Sequence, residues 1–221
     1  QFFTRVISTL FGKSLKEQTE LLYWKIQKLR DKQLANDHYS YFYTTFFGLQ
    51  EAFYDYKKVV DIGCGPRGSL EWITTPGEVY GLDPLAEKYR KLKTFKVMQL
   101  VGGEAEHMPF DENYFDIITA FNSLDHVDNP EKALGEIYKK LKPGGLFLCI
   151  MELHTKPTIT EPSGMNKERF EEIISDFQIL EGKRFRKSGG IYASLRAGEK
   201  LSDNEGEDDY SIYILKATKP D

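Results

Sequence analysis

The chain has 221 residues, 40% of them hydrophobic, enough apolar side chain for one sizeable core, which excludes a disordered tail or a coiled-coil rod. Its 30 Lys+Arg against 34 Asp+Glu leave a net charge of −4, so the whole chain has no electrostatic pull toward nucleic acid or anionic lipid, and such a partner would need a local patch. The rings are unusual: 13 Tyr, 15 Phe and 2 Trp, with nine of them between Tyr39 and Tyr56. Cys64 and Cys149 do not resemble a disulfide framework, so a reducing, cytoplasmic setting is expected. The longest apolar run, Leu146 to Met151, is far shorter than the about 20 residues of a membrane span, and no membrane partner is expected. No signal peptide or internal repeat is visible, and a start at Gln1 leaves the native beginning open.

From Ser14 to Ala35 the apolar positions Leu15, Leu21, Leu22, Ile26 and Leu29 recur at helical spacing among Lys, Glu and Gln, predicting an amphipathic helix. Asn36 or Asp37 caps a second predicted helix that runs through the rings to about Tyr56. Strands are then predicted at 59–62, 78–82, 95–101, 115–121 and 146–153. Between them lie short helices around Leu70 and Leu85 and a long one from Glu131 to Leu141, opened by Asn129-Pro130 and closed by Lys142-Pro143-Gly144-Gly145. A further helix spans 166–176. Two last strands, 177–186 and 210–217, have only a long loop, 187–209, between them, so they can pair antiparallel at a sheet edge. The expected fold is α/β: a Rossmann-like, mixed seven-stranded sheet with helices on both faces. Residues 1–58 would form an N-terminal helical lid on a domain of residues 59–221.

The strongest motif is VVDIGCGPRGS, Val59 to Ser69. A buried strand runs into Gly63, Gly65 and Gly68, whose missing side chains let backbone amides approach a ligand at a sharp turn. A tight turn with nothing bound is the plainer alternative. Asp83 strengthens the ligand reading, because it ends the second strand 20 residues past Gly63, where a carboxylate can accept from two ribose hydroxyls. Asp61 selects among nucleosides: beside a pyrophosphate it would be repulsive, whereas a ligand bearing an ammonium and a sulfonium suits it.

With D-x-G-x-G at Asp61 to Gly65, the acid ending strand two, GEAEHMPFDENYFDII at Gly103 to Ile118 and FNSLDHVDNPEKALGEIYKKLKPGG at Phe121 to Gly145, the chain resembles the class I S-adenosylmethionine-dependent methyltransferases, closest to the type 11 domains. The resemblance covers roughly residues 57–155. It implies S-adenosylmethionine as cofactor and S-adenosylhomocysteine as product. Gly63 and Gly65 would pack under the methionine part and Asp61 would help hold its ammonium. Asp83 would bind the ribose diol, Glu104 would reach toward the adenine amino group, Ala105 would present its amide to the ring, and Asn122 would lie beside the methionine portion. Two departures stand out: Arg67 displaces the third glycine by one position to Gly68, and Glu104 replaces the family's shorter Asp. The expected reaction is methyl transfer to an oxygen or nitrogen of a small-molecule acceptor. Retention of the cofactor fold without turnover, or a nicotinamide-dependent oxidoreductase, are the alternatives.

The remaining candidates have plainer readings beside the chemical ones. His126 and His154 stand where a general base could face the acceptor, or could simply order their loops; His38 is a candidate to cover the cofactor, and His107 reads as a turn residue. Asp125, His126 and Asp128 could hold a divalent cation, but helix capping by Asp128 and Asn129 explains them better, and no metal is expected. Lys183, Arg184, Arg186 and Lys187 are countered in the sequence by Glu205, Glu207, Asp208 and Asp209, so nucleic acid is disfavoured. Half of the aromatic segment suffices for core, and part of the rest is expected to wall the acceptor pocket. Neither the oligomeric state nor the acceptor's identity follows from the residues.

Overall fold

A computed structural model describes residues 2–32, 34, 39–155, 164–202 and 210–221, with side chains from residue 17 onward. The expected cap at Asn36 or Asp37, His38, and the acids Glu205, Glu207, Asp208 and Asp209 lie outside the described residues. Seven strands, β1 (Lys58–Ile62), β2 (Glu78–Leu82), β3 (Gln99–Val101), β4 (Phe115–Phe121), β5 (Leu141–Leu153), β6 (Gln178–Arg186) and β7 (Ser211–Thr218), form one sheet in the order β3-β2-β1-β4-β5-β7-β6. The pairings among β1 to β5 are parallel, and β7 runs antiparallel to both β5 and β6. The expected mixed sheet with an antiparallel final pair is therefore present.

Successive strand residues point to opposite faces, and both faces are covered. On one, Val59, Ile117, Leu148, Ile150 and Ile212 pack with Phe42, Phe47, Tyr54, Leu70 and Tyr89. On the other, Val60, Ile118, Phe147, Cys149 and Leu215 pack with Leu134 and Ile137 of α4 (Pro130–Lys140) and Phe170 of α5 (Lys167–Ile173). The Asn129 side chain caps α4 by accepting from the Lys132 amide at 2.9 Å, with Pro130 in the first turn where no donor is needed.

Several elements differ from the reading of the sequence. The first helix, α1 (Phe2–Asp31), begins well before Ser14, running through Gly12, a residue that weakens a helix without forbidding it. The aromatic segment is no single helix. It coils through α2 (Ser40–Tyr43) and two 3-10 turns, Thr45–Phe47 and Glu51–Tyr54, with Gly48 left-handed at φ 66 between them. Short turns in changing directions bury Phe42, Tyr43, Phe47 and Tyr54 together, which one helix with rings on every side could not do.

After the glycines there is no helix around Leu70 but a series of turns. Glu71 there accepts from the amides of Lys96, Val97 and Met98 at 2.8, 3.0 and 2.8 Å, and this capture explains why β3 starts at Gln99 rather than residue 95. The short helix expected at Leu85 is α3 (Ala86–Tyr89). The loop 187–209 contains α6 (Ile191–Ala197), closed by Gly198 at φ 73. Apolar Ile191 and Leu195 at helical spacing before that glycine were the available signal.

Phe147 is fully buried between β5 and the α4–α5 layer. Phe147→Ala is expected to lower stability by about 3 to 5 kcal/mol in denaturant titration, whereas Leu180→Ala, at an exposed position, changes it by less than about 0.5 kcal/mol.

Candidate active site

The strand order reverses between β1 and β4, and in such sheets the crevice beyond the carboxyl ends of the strands at that point is where ligands sit. The backbone there is closely fitted. Gly63 and Gly65 have φ of +66 and +56, and a Cβ on Gly63 would stand 2.4 Å from the Ser123 Cβ, so the turn after β1 is pressed against the turn after β4. Asn122, at the end of β4, takes φ 55, a conformation uncommon for a residue with a side chain and concentrated at functional sites. Its amide donates to the Ile150 carbonyl at 2.7 Å, which fixes it to β5.

Two carboxyls define the electrostatics. Asp61, on β1, is buried and accepts three hydroxyl hydrogen bonds: from Thr119 of β4 at 2.6 Å, from Tyr43 of α2 at 3.2 Å, and from Ser69 in the glycine turn. Burial pushes its pKa up to about 6, against the three hydroxyls, which lower it. Asp83, beyond β2, accepts from the amides of Leu85 at 2.8 Å and Gly65 at 3.2 Å, so the acid and the glycine turn are tied directly. Its pKa is raised to about 7, mainly by burial and further by the Glu20 and Asp61 charges. Among the described residues, hydroxyls and amides hold these carboxyls, with no Lys or Arg hydrogen-bonded to either. The donor set therefore suits a cationic ligand carrying hydroxyls, and both Asp83 oxygens keep a lone pair for them.

Glu104 and Ala105 stand at the start of a 3-10 turn, Ala105–His107, with Ala105 buried and Glu104 half-buried. Gly68 is left-handed at φ 76 and packs beside Glu71. Sequence reasoning expected residues 1–58 to be a lid but named no residue of α1 at the site. Trp24 lies 3.5 Å from where a Cβ on Gly65 would be, and the Arg67 guanidinium stacks over its ring at 5.6 Å. Glu20 accepts from the Tyr89 hydroxyl at 2.7 Å and from the Trp24 indole at 3.4 Å. Arg67 in turn donates to Asp31 at 3.2 Å, so α1 is fastened along the glycine turn. Nothing in its amphipathic pattern announced that partner.

The aromatic segment reaches the same place. Tyr43 stacks at 4.3 Å on Phe121 of β4, and the Tyr54 hydroxyl donates to the Tyr43 carbonyl at 2.6 Å, holding its ring over Asp61. Tyr39 and Phe42 contact Tyr192 of α6 at 5.3 and 4.6 Å, and Phe46 packs toward Phe185 at 6.3 Å. Tyr192 was hidden from the sequence reading because α6 itself was.

Beyond β4 and β5, a second group gathers. Buried Asp125 lies 4.0 Å from His126, which is half-exposed. Buried His154 stacks on Tyr210 at 5.4 Å, while Lys187 pairs with Glu152 and covers the Tyr210 ring at 5.2 Å. The rest of the basic run is also countered locally, Lys183 by Glu181 and Arg186 by Glu199, while Arg184 donates to the Ser202 carbonyl. His107 sits in its turn beside Lys132, and the Asp128 amide donates to Glu106 at 3.0 Å.

Comparison with known proteins points the same way. The "Methyltransferase domain" family matches residues 60–149. Demethylmenaquinone methyltransferase of Staphylococcus epidermidis is 31% identical over 148 residues, 63% of this chain and 59% of that protein, so the chain spans about three-fifths of that relative's length. The Geobacillus protein of the same name is 31% identical over 171 residues, 73% of this chain and 70% of the relative. Sterol 24-C-methyltransferase of Schizosaccharomyces pombe is 33% identical over 165 residues, 70% and 42% of the two chains. The fold also resembles the [4+2]-cyclase SpnF, with a TM-score of 0.56 and 18% identity over 77% of this chain and 79% of that one.

Both carboxyls are held above their unfolded values, so between about pH 4 and pH 7 the folded chain binds more protons than the unfolded one, and stability falls as pH rises through that window. With no ligand added, the thermal midpoint is expected to drop from pH 5 to pH 8. Asp83→Asn should flatten that decline, and an unchanged slope in this variant would contradict the assignment.

Proposed function

The chain belongs to the methyltransferase domain family, and from that membership we propose that residues 59–221 bind S-adenosylmethionine at the turn after β1 and pass its methyl group to a small-molecule acceptor, while residues 1–58 close over the site. The observation that carries this reading is the pair of buried carboxyls, Asp61 and Asp83, beside a left-handed glycine turn and held, among the described residues, by hydroxyls and amides. Bound there, the cofactor supplies an electrophilic methyl group on a sulfonium. Asp83 would accept from the ribose hydroxyls, and Asp61, at the foot of the turn, would favour the ammonium through its charge. Gly63 and Gly65 would admit the methionine backbone, with Asn122 beside it. Glu104 and Ala105 would meet the adenine edge, and Trp24 would shut water out above Gly65.

In-line displacement depends chiefly on positioning, and the acceptor would be held beyond the carboxyl ends of β4 and β5, with the Tyr39 and Tyr192 ring pair as a candidate wall. An oxygen acceptor needs its proton removed, and His154 or His126 has the right chemistry to take it, whereas a neutral nitrogen attacks without a base. Carbon is a second reading, favoured by the similarity to a sterol 24-C-methyltransferase. Cys64 and Cys149 are free and buried, which accords with a reducing, cytoplasmic setting.

Isothermal titration with S-adenosylhomocysteine should show one site per chain, weakened at least about tenfold by Asp83→Ala through loss of two charge-assisted hydroxyl contacts. NADH should show no binding by fluorescence. Absence of heat with S-adenosylhomocysteine, or equal affinity in the variant, would overturn the reading.

A further inference from the structure

The side of α1 turned away from the glycine turn is apolar and exposed: Leu22, Tyr23, Ile26 and Leu29 have relative exposures of 57%, 52%, 53% and 82%. Three of these, Leu22, Ile26 and Leu29, recur at spacings of four and three, one continuous stripe of the helix. Scattered exposed apolar residues are ordinary, but a stripe along one helix marks a binding surface.

Charge is sorted across the same helix. Its acids are engaged with the body of the protein: Glu17 pairs with Lys88 at 3.0 Å, Glu20 accepts from Tyr89, and Asp31 is shared between Arg67 and Arg30. Exposed Lys25, Arg30 and Lys32 flank the apolar stripe, and the adjoining segment, joined to α1 by the Lys28 bond to the Leu92 carbonyl, adds exposed Lys91 and Lys96. In sequence, α1 carries six Lys and Arg against three Asp and Glu, a net of +3, inside a chain of −4, so the remainder carries −7.

We propose that the outer face of α1 docks on an anionic lipid surface, with Leu22, Ile26 and Leu29 entering the acyl boundary and Lys25, Arg30, Lys32, Lys91 and Lys96 meeting the headgroups. A second copy of the chain fits this face poorly, because pairing two such helices brings Lys25 and Lys32 against like charges, while the described acids of α1 already face Lys88, Tyr89, Arg67 and Arg30. A lipid surface of negative charge supplies both missing partners at once. None of these residues belongs to the site assigned to the cofactor. The face and the site are nevertheless joined, since the inner side of the same helix turn places Trp24 on Gly65.

The test is sedimentation of the full chain with vesicles of phosphatidylcholine alone and of equal parts phosphatidylcholine and phosphatidylglycerol, at low and high salt. Expected is binding to the mixed vesicles only, weakened by salt, reduced at least about tenfold in Lys25→Glu/Lys32→Glu and lost in Leu22→Glu/Ile26→Glu. Thermal midpoints and S-adenosylhomocysteine affinity should stay as in the parent chain, which separates this outcome from misfolding and from failure of the cofactor assignment. Equal binding to both vesicle types, binding kept by both variants, or no binding at all would overturn the proposal. So would a dimer in ultracentrifugation that Leu22→Glu/Ile26→Glu dissociates without any vesicle binding, because the face would then be a self-association surface.

Discussion

The buried carboxyl of Asp61 is the point on which the site depends. It sits at the carboxyl end of β1 and accepts one hydroxyl each from α2, the glycine turn and β4, so three segments that are distant in sequence are referred to one group. A carboxyl buried in this way is expensive unless its lone pairs are satisfied, and each hydroxyl that satisfies one also fixes a piece of backbone. Tyr43 brings the aromatic segment onto the crevice, Ser69 shapes the glycine turn, and Thr119 aligns β4 against β1 so that Ser123 meets Gly63. The second acid repeats the device at β2, where Asp83 accepts the amide of Gly65 and so joins strand to turn.

What was legible in the residues follows from whether a signal is local. Strands β1, β2 and β4 were readable to within a residue, because a β-branched or aromatic run between turns needs no knowledge of its neighbours. Asn129-Pro130 announced α4 in the same way. The failures lie where a distant side chain competes for the backbone. The amides of Lys96 to Met98 look like strand in sequence, yet Glu71 takes them. The aromatic segment has helical spacing in places, but four rings with different burial targets turn it into short coils. Asp61, Gly63, Gly65 and Asp83 were visible as a motif, whereas Trp24, Glu20, Tyr89 and Tyr192 were not, since they join the crevice by tertiary packing alone.

The overall charge shows a related limit of composition. A net of −4 describes no surface of the molecule, because α1 and the rest of the chain carry opposite signs. The acids Glu17, Glu20 and Asp31 help fasten α1 to the body of the protein, so a helix with mixed charge in sequence presents mainly cations to the outside. Sorting of this kind is invisible until the helix has a partner that defines its inner face.

The fold alone does not say why two acids are buried at the crevice, since a sheet of this kind also carries the cyclase SpnF. Holding Asp61 near pKa 6 and Asp83 near pKa 7 means that at neutral pH, without a ligand, each carboxyl opposes folding by an amount on the order of a few kcal/mol, a large share of a domain's stability. Hydroxyl or amide side chains would hold the same turns without that cost. The acids make sense when a positive charge arrives to offset them, because the energy withheld from folding is then returned as affinity. A ligand that brings an ammonium and a diol to these two acids meets that condition.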